Sequence, residues 1–398
     1  MCNNFRNLAV LIFFFIYLMN LKILIPPYNL ILIYFILGLS ISFLKLNNNF
    51  LLNRKLFTQI VLLSSIFFAY ILSSLLNDTF NFDYLKEIFF LNIVFLFSAY
   101  FFEKKYRNID IDLVVTVLGV AVFFQLGLSL LAFLNTTVFN FIFSIIDVDN
   151  IGMEGLDRLN EARMVGVGKS FFGSGILNSF ILIVLAFQIS KYRKFIFLNS
   201  VLYIGIFILG FLSSRTTLIG MVLSLIFFLK NPVFLYRLII LIISFLILLI
   251  PFQNSIFGSK RILELIDFGF DMFFNFHNSQ ARDSLLVLWD MFLIRPESLK
   301  TWLIGDALFR SPEGGYYKDS DVGYIRIIFG SGVIGLIFFI YIHLYTIIKS
   351  SYFRQSKLLL ISIISLFILL NFKGVANMYF IFILFYLLNS EQKENIKC

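Results

Sequence analysis

Four short segments of this 398-residue chain hold the side chains best suited to chemistry. Arg215 stands in Ser213-Ser214-Arg215-Thr216-Thr217, a turn with almost no loop between two apolar runs. Its guanidinium cannot retreat far into water, and an arginine at a helix centre costs roughly 2.5–3.5 kcal/mol on insertion scales, less near an interface. Such a residue either snorkels to the interface among local hydroxyls or is a fixed cation whose planar donor fork binds a phosphate. Arg163 opens Arg163-Met164-Val165-Gly166-Val167-Gly168-Lys169-Ser170. The Gly-Lys-Ser ending mimics a P-loop, but that motif needs glycine where Arg163 stands and a preceding strand. Gly166 and Gly168 would instead let backbone amides approach an anion while Arg163 and Lys169 supply charge, a nest at a helix N-terminus. The plainer alternative is a re-entry turn made flexible by its glycines.

The third segment is His277-Asn278-Ser279-Gln280-Ala281-Arg282-Asp283. A loop arginine such as Arg282 is by default a solvated charge, as are Arg158, Glu161 and Asp283. The fourth is Asp319-Ser320-Asp321-Val322-Gly323-Tyr324-Ile325-Arg326, followed by Gly330-Ser331-Gly332 and Gly335. Asp319 and Asp321 suit a general base acting on a hydroxyl, or equally a cap on the helix that follows. The glycines permit close helix contact. His277 and His343 are the two histidines. Neither has metal-ligand neighbours at suitable spacing, so no metal or cofactor is expected. Cys2 and Cys398 stand at opposite ends and define no disulfide framework.

The elements that position these residues follow from composition. Sixty per cent of residues are hydrophobic and 14% are charged, with a mean hydropathy of +0.93. Soluble domains are near half apolar and a quarter charged. The apolar residues fall in runs of about twenty, the length a helix needs to cross roughly 30 Å of hydrocarbon. Alternation at strand period is absent, which argues against a membrane barrel. The expected fold is an all-α integral membrane protein of about twelve transmembrane helices, a single polytopic domain over residues 1–398. The first apolar segment lacks a small-residue cleavage site and reads as an uncleaved helix.

The expected spans are Leu8–Ile25, Leu30–Leu44, Leu56–Leu76, Tyr84–Phe102, Ile111–Leu134, Phe171–Ser190, Phe195–Leu212, Thr216–Leu229, Tyr236–Phe252, Val322–Ile348, Leu358–Leu370 and Val375–Leu388. Basic clusters follow the even-numbered spans: Lys45 with Arg54 and Lys55, Lys104 with Lys105 and Arg107, Lys191 with Arg193 and Lys194, Lys230 with Arg237, and Lys349 with Arg354 and Lys357. The positive-inside rule then puts both termini in the cytoplasm, and it accounts for the net charge of +9 without nucleic acid. Two longer connections fall outside, residues 135–170 and the larger 253–321, between spans nine and ten. Within the latter, Gln280–Leu293 has apolar residues at helical spacing.

The order of these features resembles the Wzy-type O-antigen or capsule repeat-unit polymerases, within the O-antigen polymerase and ligase group. The likeness rests on an outer loop ending in Arg-x-x-Gly, a tight Ser-x-Arg-Thr turn, a large outer loop with Arg and Trp, and Asp-x-Gly-Tyr-x-Arg before a glycine-rich helix. It implies a metal-independent glycosyltransferase in the bacterial inner membrane that acts on undecaprenyl-pyrophosphate-linked oligosaccharides at the periplasmic face, alongside a flippase and a chain-length regulator. Carried over by motif, Arg163, Arg215 and Arg282 match the family's functional arginines. Asp321, Asp319, Glu161 and His277 are the candidate bases, and Tyr324 and Arg326 candidate substrate contacts. The ligases of the group use a histidine near the end of the large loop, where this chain has Asp319-Ser320-Asp321. A transporter of lipid-linked sugars is the other alternative, and should show internal repeats or broken helices at mid-membrane.

Overall fold

The computed structural model describes residues 2–24, 28–48, 54–107, 109–147, 163–169, 171–191, 194–229, 236, 261–265, 268, 280–311 and 315–388. The described residues form α-helices and one small sheet. The helices are α1 (Cys2–Met19), α2 (Ile31–Asn48), α3 (Arg54–Asn77), α4 (Phe82–Lys105), α5 (Ile111–Leu134), α6 (Thr136–Ile145) and α7 (Phe171–Ser190). They continue with α8 (Ile196–Ser213), α9 (Thr217–Leu229), α10 (Gln280–Leu293), α11 (Leu299–Ile304), α12 (Gly323–Lys349), α13 (Lys357–Lys373) and α14 (Tyr379–Leu387). Six of them, α3, α4, α5, α7, α8 and α12, are long and apolar enough to cross a membrane. Helices hold every backbone polar group within one segment, which a bilayer requires, and the chain has the build of a helical membrane protein.

Two compact units emerge, one of residues 1–30 and 109–282, the other of residues 31–108 and 283–398. In the first, α7 is the central helix, packed by α5, α8 and α9. Every residue from Ser174 to Ile189 is buried, so its polar side chains face protein rather than lipid. The helix α1, expected to run to Ile25, ends at Met19. Asn20 takes a left-handed conformation (φ 49°), a common helix stop. The chain then forms β1 (Lys22–Ile23), which pairs antiparallel with β2 (Tyr28–Asn29) and β3 (Ile146–Asp147). Lys22 and Asp147 form an ion pair across this sheet. The connection expected over 135–170 thus begins with a helix and a strand; its residues 148–162 lie outside the described residues, as does most of the expected span Tyr236–Phe252.

In the second unit, α12 packs against α3, α11, α13 and α14. It is broken at Ser331 (φ −150°) and Gly332 (φ 69°, ψ −175°). A Cβ on Gly332 would stand 2.1 Å from the Leu303 carbonyl oxygen, so only glycine allows α11 to press into the break. Gly305 (φ 78°) makes the reciprocal close approach to the Ser331 and Gly332 amides. Unwound backbone of this kind persists in a membrane protein where protein atoms cover it. The last expected span, Val375–Leu388, is helical over Tyr379–Leu387 alone, a rise of about 13 Å. Residues 374–378 are irregular. Asn371 accepts a hydrogen bond from the Ala376 amide at 3.0 Å and holds that bend.

Candidate functional site

The chemistry-bearing residues gather in two places, one in each unit. In the first unit the α8–α9 turn is as tight as its sequence implies. The Thr217 amide donates to the Ser214 carbonyl at 3.0 Å, and the Thr217 hydroxyl donates to Gly210 O at 2.8 Å. Arg215 projects from this turn, and its Nε donates to the Phe268 carbonyl at 2.9 Å. The Arg215 guanidinium also lies over the Phe268 ring, 4.5 Å from its centroid. Arg163 meets the same ring at 5.9 Å and stacks on Phe171 at 4.0 Å. Aromatic faces attract cations, and here they draw two guanidiniums together. Burial, and then the charge of Arg215, push the Arg163 pKa below its ordinary value.

The segment after Arg163 is anchored by packing. Val165 joins Ala132, Phe139 and Phe143 in one apolar cluster, and Met164 joins Phe133 and Leu265 in another. A Cβ on Gly166 would lie 2.1 Å from Lys169 O, and one on Gly168 would lie 2.6 Å from Met19 O. The space beside both glycines is filled by the chain itself. That gives them a packing role. Lys169 ends the segment, next to α7.

Beneath the arginine pair lies a polar layer that sequence reading did not single out. Asn178 is fully buried and donates to the Ser174 and Thr217 hydroxyls, each at 3.4 Å. Ser174 and Ser213 hydroxyls meet at 3.3 Å. Phe268 and Phe171 were equally unremarked, because a phenylalanine among 54 carries no signal of its own.

The second unit assembles the Asp-x-Gly-Tyr-x-Arg motif. Arg326 is 6% exposed and lies against two rings, Phe309 at 4.1 Å and Tyr316 at 4.0 Å. The nearest carboxylate is Asp321, 3.7 Å from Nη1. Arg326 Nε has no hydrogen-bond partner among the described residues. Burial pushes the Asp321 pKa up to about 6, against the opposing pull of Arg326, Lys373 and a Tyr316 hydrogen bond. Its side chain keeps 40% of its surface accessible, so the carboxyl is hemmed in yet reachable. The carboxy-terminal part of α10 supports it: Ser320 donates to Met291 O at 3.2 Å, and Val322, Ile325 and Phe329 pack on Leu288, Met291 and Phe292. Beside this cluster, Arg310 donates to Glu87 at 2.8 Å and lies 3.8 Å from Asp83.

Neither aspartate caps α12, whose N-cap is Val322 without a side-chain hydrogen bond; the capping alternative is thereby set aside. Asp319 is exposed and left-handed (φ 55°). Tyr324 turns to α13, donating to Ile368 O at 2.8 Å and stacking edge-on with Phe372. Arg282 lies in the first turn of α10. Glu161 and His277 lie outside the described residues. No family model, curated protein or solved structure matches this chain.

Proposed function

We propose that the chain is a glycosyltransferase that polymerises undecaprenyl-pyrophosphate-linked oligosaccharide repeat units into O-antigen or capsular polysaccharide. In this reading about twelve helices span the bacterial inner membrane, both termini are cytoplasmic, and residues 253–321 face the periplasm. The observation that carries it is the pairing of Arg163 and Arg215 on one aromatic ring, Arg215 in the turn between two apolar helices. Two guanidiniums gathered on one ring present planar donor groups whose chemistry suits a phosphate or pyrophosphate. A lipid pyrophosphate is such a group. Its negative charge grows as the glycosidic bond to it breaks, and fixed donors aimed at growing charge accelerate such a step without a metal.

Asp321 is the proposed base for the acceptor hydroxyl. A carboxyl with a pKa near 6 is ionised at neutral pH and more basic than an ordinary aspartate. Arg326 keeps it oriented. An aspartate in this place, where the ligases of the resembled group carry histidine, supports polymerase over ligase.

One observation favours transport instead: the break in α12, since discontinuous helices line the sites of many carriers. That break, however, is packed by the Leu303 carbonyl and Gly305. Deleting the gene and resolving the surface polysaccharide on a gel separates the readings. Loss of a polymerase leaves one repeat unit on the lipid core; loss of a ligase leaves bare core with polymer held on the carrier lipid. An unchanged ladder would overturn all three readings.

A further inference from the structure

His343 is wholly buried in α12, a membrane-crossing helix by length and composition. It takes no part in the chemistry above. Ionisable side chains inside a membrane are costly and mark function by default. Its ring stacks on Phe367 at 4.6 Å, nearly parallel, and touches Phe339, Phe382 and Tyr379. Tyr379 is the titratable group among those rings, and none of them is charged.

The hydrogen bonds decide which nitrogen holds the proton. His343 Nδ1 lies 2.7 Å from the Phe339 carbonyl oxygen. A carbonyl can only accept, so Nδ1 carries the hydrogen and the neutral ring presents a lone pair at Nε2. The ring's other polar neighbour is Asn377, whose side chain interacts with it. Asn377 has its own orientation forced. Its Nδ2 donates to Glu87 O and to Asn92 Oδ1, both at 3.0 Å. Asn92 Nδ2 is committed to Ile88 O at 2.7 Å, so turning the Asn377 amide over would set acceptor against acceptor. Asn377 Oδ1 is therefore the atom left over. Both it and His343 Nε2 are buried without a hydrogen-bond partner among the described residues. Two lone pairs and no hydrogen is an arrangement that one proton resolves: on Nε2, it makes an N–H donor for Asn377 Oδ1.

A separate buried polar cluster lies beside this pair, beginning at Tyr379, whose ring centroid is 6.3 Å from that of His343. Tyr379 donates to Gln59 Oε1 at 3.1 Å, and Gln59 Nε2 donates to the Thr346 hydroxyl at 3.4 Å. One turn before Gln59, Lys55 donates to Tyr386 O at 3.1 Å and lies over the Tyr386 ring. Gln59, Thr346 and Tyr379 are all fully buried. On the other side, Asn377 grips the π-helical turn Leu85–Phe90 through Glu87 O. Wide turns of that type are frequent at functional sites.

We propose that His343 and Asn377 form a proton-binding site within the membrane-spanning part of the second unit. In the loading step, Nε2 of the neutral ring takes a proton, giving an imidazolium that donates from both nitrogens. Unloading is the reverse: Nε2 releases that proton and the neutral ring with hydrogen on Nδ1 is restored. Because Asn377 sits in the irregular 374–378 bend and holds the Glu87 turn, occupancy of the site tightens the contact between α14 and α4. The site does not depend on the polymerase reading.

The chain's two histidines make the test direct. Full-length protein with His277→Asn, labelled with 15N-histidine and held in lipid nanodiscs, leaves His343 as the sole signal. The expected spectrum at neutral pH has hydrogen on Nδ1 and a bare Nε2, with conversion to imidazolium as the pH is lowered through the acid range. Asn377→Leu, which removes the acceptor, should move that conversion to lower pH. Tryptophan fluorescence, recorded at each pH, reports whether the fold is intact. A neutral ring protonated on Nε2 would overturn the proposal. So would a ring that stays neutral until the protein unfolds, or a conversion that Asn377→Leu does not move.

Discussion

The Asp321 carboxylate and the Arg326 guanidinium, five residues apart in sequence, stand 3.7 Å apart where α12 begins. One turn of helix carries Arg326 round to the side from which Asp321 enters, and the rings of Phe309 and Tyr316 both lie against its guanidinium, at 4.1 and 4.0 Å. The arginine is buried and the aspartate half-open. The pair therefore joins a fixed internal charge to a group that substrate can reach, and four predictions follow the chemistry outward from these residues and the arginine pair.

If Asp321 is the base, it must be ionised, and its pKa is raised to about 6. Activity should then fall as the pH drops through about 6, with a tenfold loss per unit below it. Initial rates of polymer formation by purified protein, on a synthetic lipid-linked repeat unit, measure this limb. Asp321→Asn should cut the rate by about 10²–10⁴-fold and abolish the limb. A wild-type profile flat across that range would remove Asp321 from the role.

Arg326 pulls the Asp321 pKa down. Replacing it with glutamine should shift the acid limb to higher pH, whereas Arg326→Lys should keep the charge and most of the limb's position. A structural role alone would lower the rate at every pH without moving the midpoint, so the profile itself discriminates. Thermal melts of each variant control for folding.

Arg215→Lys retains a charge but loses the planar fork that also fixes the side chain on Phe268 O. Loss of one such donor group is worth about 10²–10³-fold in rate, so a complemented deletion strain should show a strongly shortened polymer ladder at matched protein level. Phe268→Leu removes a ring shared by both guanidiniums, each contact worth roughly 0.5–1 kcal/mol, and should weaken lipid-linked substrate binding more than turnover. Normal polymer length with Arg215→Lys would count against a bidentate phosphate contact.

Gly332→Ala places a methyl group 2.1 Å from Leu303 O at a φ of 69°. Left-handed strain costs about 1–3 kcal/mol, and the clash adds to it. The variant should melt several degrees lower in nanodiscs. Gly315→Ala, where φ is also positive but nothing lies within 4 Å, should cost the strain alone.

Much of this architecture was legible in one dimension. The spans Ile111–Leu134 and Phe171–Ser190 and the loop helix Gln280–Leu293 have the bounds read from apolar run length and helical spacing. Helix formation in an apolar medium is settled between residues four apart, so local composition suffices. The arginines, the Asp321 motif and the Ser-x-Arg-Thr turn were visible for the same reason: each is a charge or a turn in an otherwise apolar sequence. What the fold alone decided depends on residues distant in the chain. Phe268 reaches Arg215 across 53 positions, Asn377 reaches Asn92 across 285, and Leu303 fills a break in α12 that the run Gly330-Ser331-Gly332 only permits. Such meetings arise when packing brings separate helices together in unit volumes too small for voids, and no periodicity along a single helix encodes its partner.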